Sequence, residues 1–547
     1  MFETSPPQRI LPATQFSAGG QSRTGAPDLR DLHDIESTRR IEATFAAILP
    51  PHTLMGRAGL CVARLALALY PHALTIWVAC GPGNNGGDGL EAASHLRQWG
   101  KHVVVTWLGA PERCSADTLA AFEKARQSGV AFVDTPPFNF DLAIDALLGI
   151  GASGRESAQK SGKAGRSHAR LDEWADLLNQ RHAPVLSIDL PSGLNADTGA
   201  ASPHTVRAQH TLSLVTLKPG LFTAAGRDHC GAIWFDAVGC DDLAGVAVSP
   251  AARLTGAPAL GNKTNSARRS RAAHASHKGS FGDVVVIGGA PGMTGAALLA
   301  ASAALHGGAG RVLVGLLDDG SIAVDSAQPE LMLRPVASLD LRHSNVVCGC
   351  GGGDAVRQYL PAVLSTAALS VLDADALNAI SADANLQLQL RQRAARHKPT
   401  VLTPHPLEAA RLLGCGTADV QADRLAAARQ LADRFACCVV LKGSGSVIAA
   451  PGQVPQINPS GNALLATAGT GDVLAGLIGA RLAGLGKLLA ANAALGVDLE
   501  MASDAVKAAP PEAVFAAVCA AVFHHGELAD QWPAGRALTA SALARRL

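Results

Sequence analysis

The amino-acid sequence predicts two α/β domains, each built on a mostly parallel sheet with helices on both faces. Short apolar runs alternate with segments of helical periodicity between about residues 73 and 238, and the alternation restarts at residue 284. A polar stretch rich in Ser, Asn and Arg separates the two series. Each series contains a glycine-rich loop between a predicted strand and a helix, an arrangement that can bind phosphate.

Composition limits the class of protein. At roughly 150 residues per domain, 547 residues predict three or four domains, although two larger domains fit as well. The 48% apolar content excludes a disordered chain. Lys and Arg (46) balance Asp and Glu (45), so neither a nucleic acid nor a membrane is an expected partner. Eleven cysteines without a C-x-x-C pair argue against an ordinary zinc site and favour the reducing cytoplasm. We expect no secretory signal.

The order of the segments gives the domain boundaries. We expect a loose leader over residues 1–28, a first domain over 29–240, a linker over 241–277 and a second domain over 278–547. A Ser-, Gly- and Lys-rich stretch at 151–170 is typical of a surface loop. The predicted strands are 74–79, 103–108, 142–148, 185–190 and 211–217, followed by 284–287, 311–316, 345–348, 370–372, 400–402 and 438–441. No convincing short repeat relates the two series, so we expect two distinct folds.

The first glycine-rich loop, residues 81–89 (GPGNNGGDG), joins a predicted strand to a predicted helix. It formally satisfies G-x-G-x-x-G, but the next strand ends without the acidic residue that binds ribose, which disfavours a hydride-transfer domain. Asp145 and Asp189 follow two other strands. Because parallel strands end at one crevice, the Asn-rich loop and both carboxylates could converge there, although either Asp could equally cap a helix. Amide, carboxylate and hydroxyl oxygens would suit a hard cation.

Four motifs together resemble the NAD(P)H-hydrate epimerase domain, a Rossmann-like fold, over roughly residues 29–238: 54–59 (LMGRAG), 84–88 (NNGGD), 145–149 (DALLG) and 188–193 (IDLPSG). The resemblance implies that Asp189 is the catalytic acid or base, and that Asn85, Asp145 and Ser192 hold potassium. The implied contacts to the hydrated nucleotide are Asn84, Asn85, Gly86, Gly87, Asp88, Gly149, Ile150, Gly151, Ala152, Ser153, Gly154, Arg155 and Asp189. This chain has Ile150 and Gly56 where the family usually has Thr and Glu.

The second domain carries residues 403–408 (TPHPLE) and 442–447 (KGSGSV) after strands, and 469–472 (GTGD) before a helix. Gly471 would let the backbone approach a phosphate closely, and the helix N-terminus would stabilise its charge. Asp472 could take a proton from an attacking hydroxyl group, although an Asp at this place could also be a helix cap.

From about residue 278 to the C-terminal segment, the chain resembles the ribokinase-like superfamily and, within it, the ADP-dependent NAD(P)H-hydrate dehydratase. The motifs that carry this resemblance are 372–378 (LDADALN), 404–406 (PHP), 442–446 (KGSGS) and 462–472 (NALLATAGTGD). The resemblance implies Asp472 as the catalytic base and magnesium with the phosphates, for which Asp373, Asp375 and Glu408 are candidate neighbours. The implied contacts to the hydrate are Ala296, Gly351, His405 and Asp472, and those to the adenine nucleotide are Lys442, Gly443, Ser444, Gly445, Ser446 and Gly471. Leu407 and Cys350 replace a usual Gly and Pro.

The two resemblances imply one pathway of cofactor repair. Reduced nicotinamide rings take up water at C6 to give R and S epimers, and a dehydratase specific for the S epimer needs an epimerase to use the R epimer. The expected partners are NADHX, NADPHX and ADP, and a homo-oligomer is the expected assembly. The alternative is a nucleotide-binding regulatory module fused to a ribokinase-like vitamin or sugar kinase, because fold alone does not define the substrate.

Overall fold

The computed structural model describes residues 7–10, 31–151, 166–243, 246–256, 274, 276–318, 320, 322–494 and 510–547. The chain divides into two compact units, and the border between Arg253 and Leu254 lies inside the stretch predicted as a linker. Both units are α/β, as predicted. Within the described ranges, no helix is both long and apolar enough to cross a membrane.

The first unit is built on an eight-stranded sheet. Its helices are α1 (Ile35–Ile48), α2 (Thr53–Leu69), α3 (Asn84–Gln98), α4 (Ala116–Gln127), α5 (Arg166–Gln180) and α6 (Gly226–His229). Its strands are β1 (Gln8–Arg9), β2 (Asp31–Leu32), β3 (Thr75–Cys80), β4 (His102–Trp107), β5 (Ala131–Phe132), β6 (Leu142–Ala146), β7 (Val185–Ile188), β8 (His210–Leu214) and β9 (Ala232–Asp236), with β10 (Ala252–Leu254) at the border. All of these strands except β2 and β10 belong to the eight-stranded sheet.

The strand order β1-β9-β8-β7-β6-β3-β4-β5 fixes the position of a crevice. Strands β3 to β9 are parallel, and the chain runs outward from β3 in one direction and from β6 in the other. The carboxyl ends of β3 and β6 therefore form a topological switch point, where open α/β sheets bind ligands. The central strands are buried on both faces, which explains their unbroken apolar runs.

The second unit is also built on a mostly parallel sheet with a topological switch point, but its strands follow a different order. Its strands are β11 (Asp283–Gly288), β12 (Arg311–Leu316), β13 (Met332–Leu333), β14 (Asn345–Cys348), β15 (Leu369–Leu372), β16 (Thr400–Leu402), β17 (Cys438–Leu441), β18 (Val447–Ala449) and β19 (Gln456–Ile457). Their order is β13-β12-β11-β14-β15-β16-β17-β18-β19, parallel as far as β17 and antiparallel beyond it. The switch point lies between β11 and β14.

The helices of the second unit cover both faces of its sheet. They are α7 (Thr294–His306), α8 (Leu360–Thr366), α9 (Asp375–Ser381), α10 (Ala384–Ala395), α11 (Pro406–Leu413), α12 (Thr417–Ala422), α13 (Arg424–Phe435), α14 (Thr470–Ala494), α15 (Pro511–Asp530) and α16 (Ala540–Ala544). Helices α7, α14 and α15 supply small and apolar side chains to the largest core of this unit.

Short elements lie where composition predicts none. Strand β1 falls in the predicted leader and pairs with β9, although its two residues are exposed. Strand β10 falls in the predicted linker and pairs antiparallel with β2. Helix α5 begins inside the predicted surface loop 151–170, of which residues 152–165 lie outside the described part of the chain.

Candidate functional sites

The first candidate site lies at the switch point of the first sheet. Helix α3 begins at Asn84, and its N-cap is Gly83, which offers no side-chain cap, so the first N–H groups of the helix are free to bind an anion. The preceding turn is tightly packed. A Cβ on Gly86 would lie 2.1 Å from the carbonyl oxygen of Gly81, which explains why glycine is needed there.

A cavity of about 660 Å³ opens in front of this loop. The predicted substrate contacts that line it are Asn84, Asn85, Asp88, Gly149, Ile150, Gly151 and Asp189. Gly86 and Gly87 are buried behind the lining. Ala152, Ser153, Gly154 and Arg155 lie outside the described residues. The structure therefore brings together the Asn-rich loop, the end of β6 and the end of β7, as expected for side chains at the carboxyl ends of parallel strands.

Asp189 follows β7 in a left-handed backbone conformation, with φ of 66°. Such a conformation is uncommon for a residue other than glycine, and it clusters at functional sites. The Lys218 ammonium group, whose side chain is fully buried, donates to Asp189 Oδ1, which also accepts from Leu214 N at 3.2 Å. Lys218 donates further to Leu214 O at 2.7 Å. A buried carboxylate is thus paired with a buried cation at the edge of the cavity.

Asp145 is fully buried and accepts four hydrogen bonds. Its Oδ1 accepts from Ser192 Oγ at 2.6 Å and Leu147 N at 3.2 Å, and its Oδ2 accepts from Ser187 Oγ at 2.8 Å and Ser192 N at 2.9 Å. Burial raises the pKa of Asp145, while these hydrogen bonds act in the opposite direction. The predicted ligands Asp145 and Ser192 are therefore in direct contact, and Asn85 Nδ2 is buried without a hydrogen-bond partner.

The sequence reading missed two charged residues of this site. Lys218 follows β8 in a Lys-Pro-Gly segment. This local pattern predicts a turn and does not indicate a buried charge. Glu42 lies on α1 and also lines the cavity. Its position on an amphipathic helix far from the motifs gave no hint of a site.

The second candidate site lies at the switch point of the second sheet. Gly351, which follows β14, has φ of 58°, and a Cβ there would lie 2.9 Å from Ala296 Cβ of α7. The two predicted hydrate contacts Ala296 and Gly351 are therefore neighbours. The carbonyl of Gly351 accepts from Ala290 N at 2.7 Å, which joins the loop after β11 to the loop after β14.

Asp472 lies in the first turn of α14, close to a buried cluster. The Sγ atom of Cys350 and oxygens of Asp373 and Asp472 lie within 4.8 Å of one another. Burial raises the pKa of Asp472 to about 6, and the charge of Asp373 adds to the effect. Asp373 Oδ1 accepts from Lys442 Nζ at 2.7 Å and from Thr403 Oγ1 at 2.9 Å. Asp472 is thus the member of the cluster that is free to accept a proton near neutral pH.

His405 has a clear structural task. It is the N-cap of α11, where its Nδ1 accepts from Leu407 N at 3.1 Å, and its own backbone N donates to Glu408 Oε2 at 2.8 Å. Burial and Lys442 lower the pKa of His405, and burial raises the pKa of Glu408 to about 7. The contact of His405 with a hydrate remains a prediction, because the capping hydrogen bonds alone explain a histidine here.

The predicted nucleotide-binding residues 442–446 form the turn between β17 and β18. Gly443 has φ of 136°, and a Cβ there would lie 2.9 Å from the guanidinium group of Arg424. Arg424 is buried and donates to Leu441 O at 3.2 Å and Lys442 O at 3.0 Å, so it supports the turn from behind. Gly471 is next to this turn, since its Cβ would lie 3.3 Å from Lys442 Nζ. Sequence reasoning missed Arg424.

Comparison with known proteins assigns each unit a relative. A family model for NAD(P)H-hydrate dehydratase matches residues 284–547, and a model for the YjeF-related protein N-terminus matches residues 51–220. The bifunctional NAD(P)H-hydrate repair enzyme Nnr of Coxiella burnetii is 35% identical over 443 residues, which cover 79% of this chain and 86% of that protein. The Nnr enzyme of Escherichia coli K12 is 35% identical over 451 residues, 81% of this chain and 82% of that protein. An ADP-dependent (S)-NAD(P)H-hydrate dehydratase of Neisseria meningitidis is 48% identical over 215 residues, 38% of this chain and 71% of that protein.

Proposed function

Since the chain belongs to the bifunctional NAD(P)H-hydrate repair enzymes, we propose which residues of each unit carry the two reactions. The first unit is the epimerase of NADHX and NADPHX, and the second is the dehydratase that returns the S epimer to NADH or NADPH. The match along most of the chain to relatives with both activities carries this conclusion. It disfavours the alternative of a regulatory module fused to a vitamin or sugar kinase.

In the epimerase, Asp189 transfers the proton at the C6 hydroxyl group. Its pairing with buried Lys218 supports this role, because the ammonium group and Leu214 N hold the Oδ1 atom of the carboxylate in place at the edge of the cavity. The N–H groups at the start of α3 bind the phosphates of the substrate, and Asn84 and Asp88 line the cavity beside them. The other predicted contacts, including 152–155, extend the same surface.

Asn85, Asp145 and Ser192 would hold potassium in the epimerase. The donor types suit a hard cation, since they are amide, carboxylate and hydroxyl oxygens with one negative charge, and both oxygens of Asp145 already accept hydrogen bonds from the protein. The amide oxygen of Asn85 would be the ligand, whereas the buried Nδ2 atom, which has no hydrogen-bond partner, is a donor and suits an oxygen atom of the substrate. Potassium would supply a fixed positive charge beside the phosphates. Comparing epimerisation rates in potassium and sodium tests this proposal, and equal rates would argue against it.

In the dehydratase, Asp472 is the general base that takes the proton of the C6 hydroxyl group. The hydroxyl oxygen then attacks the terminal phosphoryl group of ADP, AMP leaves, and phosphate is later lost with a ring proton to restore the reduced nicotinamide. The pKa of about 6 suits a base that works near neutral pH. The turn at 442–446 and Gly471 bind the nucleotide, and the ADP-dependent relative supports ADP as the co-substrate.

Magnesium accompanies the nucleotide phosphates, but the residues named for it do not form a free set of ligands. Asp373 accepts from Lys442, Asp375 accepts from Gly353 N, and Glu408 accepts from the backbone of its own helix cap. The proposed reaction therefore assigns no protein ligand to magnesium. The ADP requirement measured with and without magnesium tests its presence.

The cysteines bear on the cellular setting of the protein. All eleven cysteines are free, and ten of them are shielded at least in part, which is consistent with a reducing cytoplasm. A homo-oligomer is the expected assembly, and light scattering of the purified chain tests it.

Two single substitutions test the division of labour. Asp472→Asn should abolish ADP-dependent loss of the S epimer and leave conversion of R to S intact, because the first unit keeps its own site. Asp189→Ala should do the reverse, leaving S-epimer repair unchanged while R is consumed only at its spontaneous rate. Loss of a general base or acid commonly costs about 100-fold or more. Near-normal activity of either variant on its affected epimer would reject the role assigned to that residue.

A further inference from the structure

Four carboxyl side chains line the cavity of the first unit, but they differ in their partners. Asp117 Oδ1 lies 3.9 Å from His52 Nδ1. Asp189 is paired with Lys218. Asp88 lies near Glu42, Asp189 and two further acidic side chains, and burial together with these charges raises its pKa well above the usual value. Within the described part of the chain, Glu42 has no hydrogen-bond or ion-pair partner, and it faces the same space. Glu42 is therefore a carboxyl group with no structural task that the contacts explain.

The position of Glu42 is fixed by its helix. Asp34 caps the start of α1 by accepting from Ser37 N, and Ile35 N donates to Asp197 Oδ1 at 2.9 Å. One turn before Glu42, the hydroxyl group of Thr38 is hydrogen-bonded to that of Thr216 at 2.7 Å, in the segment that leads to Lys218. The helix is thus docked on the same segment that supplies the cation to Asp189, and this docking directs Glu42 towards the cavity.

The charged groups around Glu42 act on its pKa in opposite directions. Burial and the negative charge of Asp189 raise the pKa of Glu42, whereas Lys218 and Arg39 act in the opposite direction. Around Asp88, by contrast, burial and the neighbouring carboxyl groups all raise the pKa. The titratable and charged groups that surround Glu42 are Arg39, Asp88, Asp189, Lys218 and Cys240.

Epimerisation at C6 needs two proton transfers. A proton must reach the hydroxyl group that departs from one face of the ring, and another must leave the water that arrives at the opposite face. In the reverse direction the two groups exchange roles, so each must work as acid and as base. A pair of carboxyl groups in different electrostatic surroundings performs this kind of division in other enzymes.

We propose that Glu42 is the second proton-transfer residue of the epimerase, acting on the ring face opposite Asp189. This inference rests on the proposed role of the first unit. Glu42 gives its proton to the C6 hydroxyl, the C6–O bond breaks, and water leaves as the lone pair of the ring nitrogen forms a C6=N bond. A water molecule then adds to C6 from the other face, and Asp189 takes its proton. Exchange of the proton with solvent restores both carboxyl groups, so one water leaves and one enters.

The experiment compares three variants of the full chain with the wild type. Glu42→Gln removes the acid, Glu42→Asp keeps a shorter acid, and Glu36→Gln alters an exposed glutamate on the same helix. We expect Glu42→Gln to lower kcat for epimerisation by about 100-fold or more with a small change in KM. Glu42→Asp should restore part of the rate, and Glu36→Gln should match the wild type. S-epimer dehydration should be unchanged in all three.

Two further readouts separate a chemical role from a structural one. In wild type the epimerisation rate should fall at high pH, where Glu42 loses its proton, and Glu42→Gln should abolish that fall. In H₂¹⁸O each turnover should place one ¹⁸O at C6. Wild-type rates for Glu42→Gln, an unchanged pH profile, retention of the original oxygen, or a loss that Glu42→Asp does not relieve would each overturn the inference. Failure of wild type itself to consume the R epimer would instead overturn the proposed function of the first unit.

Discussion

Replacing Lys218 by methionine should destabilise the first unit and stop epimerisation. The side chain of Lys218 is fully buried and that of Asp189 is 12% exposed. The substitution therefore leaves a carboxylate largely out of water, and Leu214 N is its one remaining donor among the residues that the structure describes. Removing one partner of a buried ion pair costs about 3–5 kcal/mol. We expect about 3 kcal/mol, the lower end, because Asp189 opens on the cavity. At roughly 2–4 °C per kcal/mol for a domain of this size, Tm falls by about 6–12 °C.

The assay is differential scanning calorimetry of the full chain, with epimerase activity measured after heating to identify the transition of the first unit. The double variant Lys218→Met/Asp189→Asn should recover much of the stability, since no unpaired charge remains. Arg40→Met removes an exposed partner of Glu36 and should change stability by no more than about 0.5 kcal/mol. A Tm for Lys218→Met equal to that of wild type would refute the reasoning.

Three further predictions concern the second unit. Its kcat for the S epimer should fall about tenfold per pH unit below pH 6, because protonation of Asp472, whose pKa is raised to about 6, removes the base; a flat profile down to pH 5 would contradict this role. Gly443→Ala forces a side chain into a backbone with φ of 136° against Arg424, a strain of about 1–3 kcal/mol, and should raise KM for ADP about tenfold, whereas Gly486→Ala, which meets open space, should not. A truncated chain that begins at Leu254 should keep ADP-dependent activity on the S epimer; if it is insoluble or inert, the two units are not independent.

The sequence predicted the architecture because the buried strands of a parallel sheet are continuous apolar runs. Strands 311–316, 345–348, 400–402 and 438–441 match the structure residue for residue. The predicted strands 142–148 and 185–190 extend beyond the observed strands, which end at residues 146 and 188. The prediction was too long because Leu147, Leu148 and Leu190 continue the apolar pattern into the loops that follow. The two-residue strands β1 and β2 have no periodicity to detect.

The sequence predicted those site residues that belong to short continuous motifs. Glycine loops before helices and carboxylates at strand ends can be read from neighbouring residues. The ion-pair partners of those carboxylates cannot be predicted in this way, because they come from distant segments of the chain. Lys218 is 29 residues from Asp189, and Lys442 is 69 residues from Asp373. Only the tertiary fold brings these charges together, and it also turns Glu42 of an ordinary amphipathic helix towards the cavity.

A time course of the wild-type chain on a mixture of R and S epimers of NADHX, with ADP present, tests most directly whether one chain carries both activities. The near-ultraviolet absorbance of reduced nicotinamide reports the product. We predict that the absorbance rises until both epimers are consumed, and that the R epimer disappears faster than it does spontaneously. Recovery that stops when the S epimer is exhausted would contradict an epimerase in the first unit, and no recovery at all would contradict the repair function of the second.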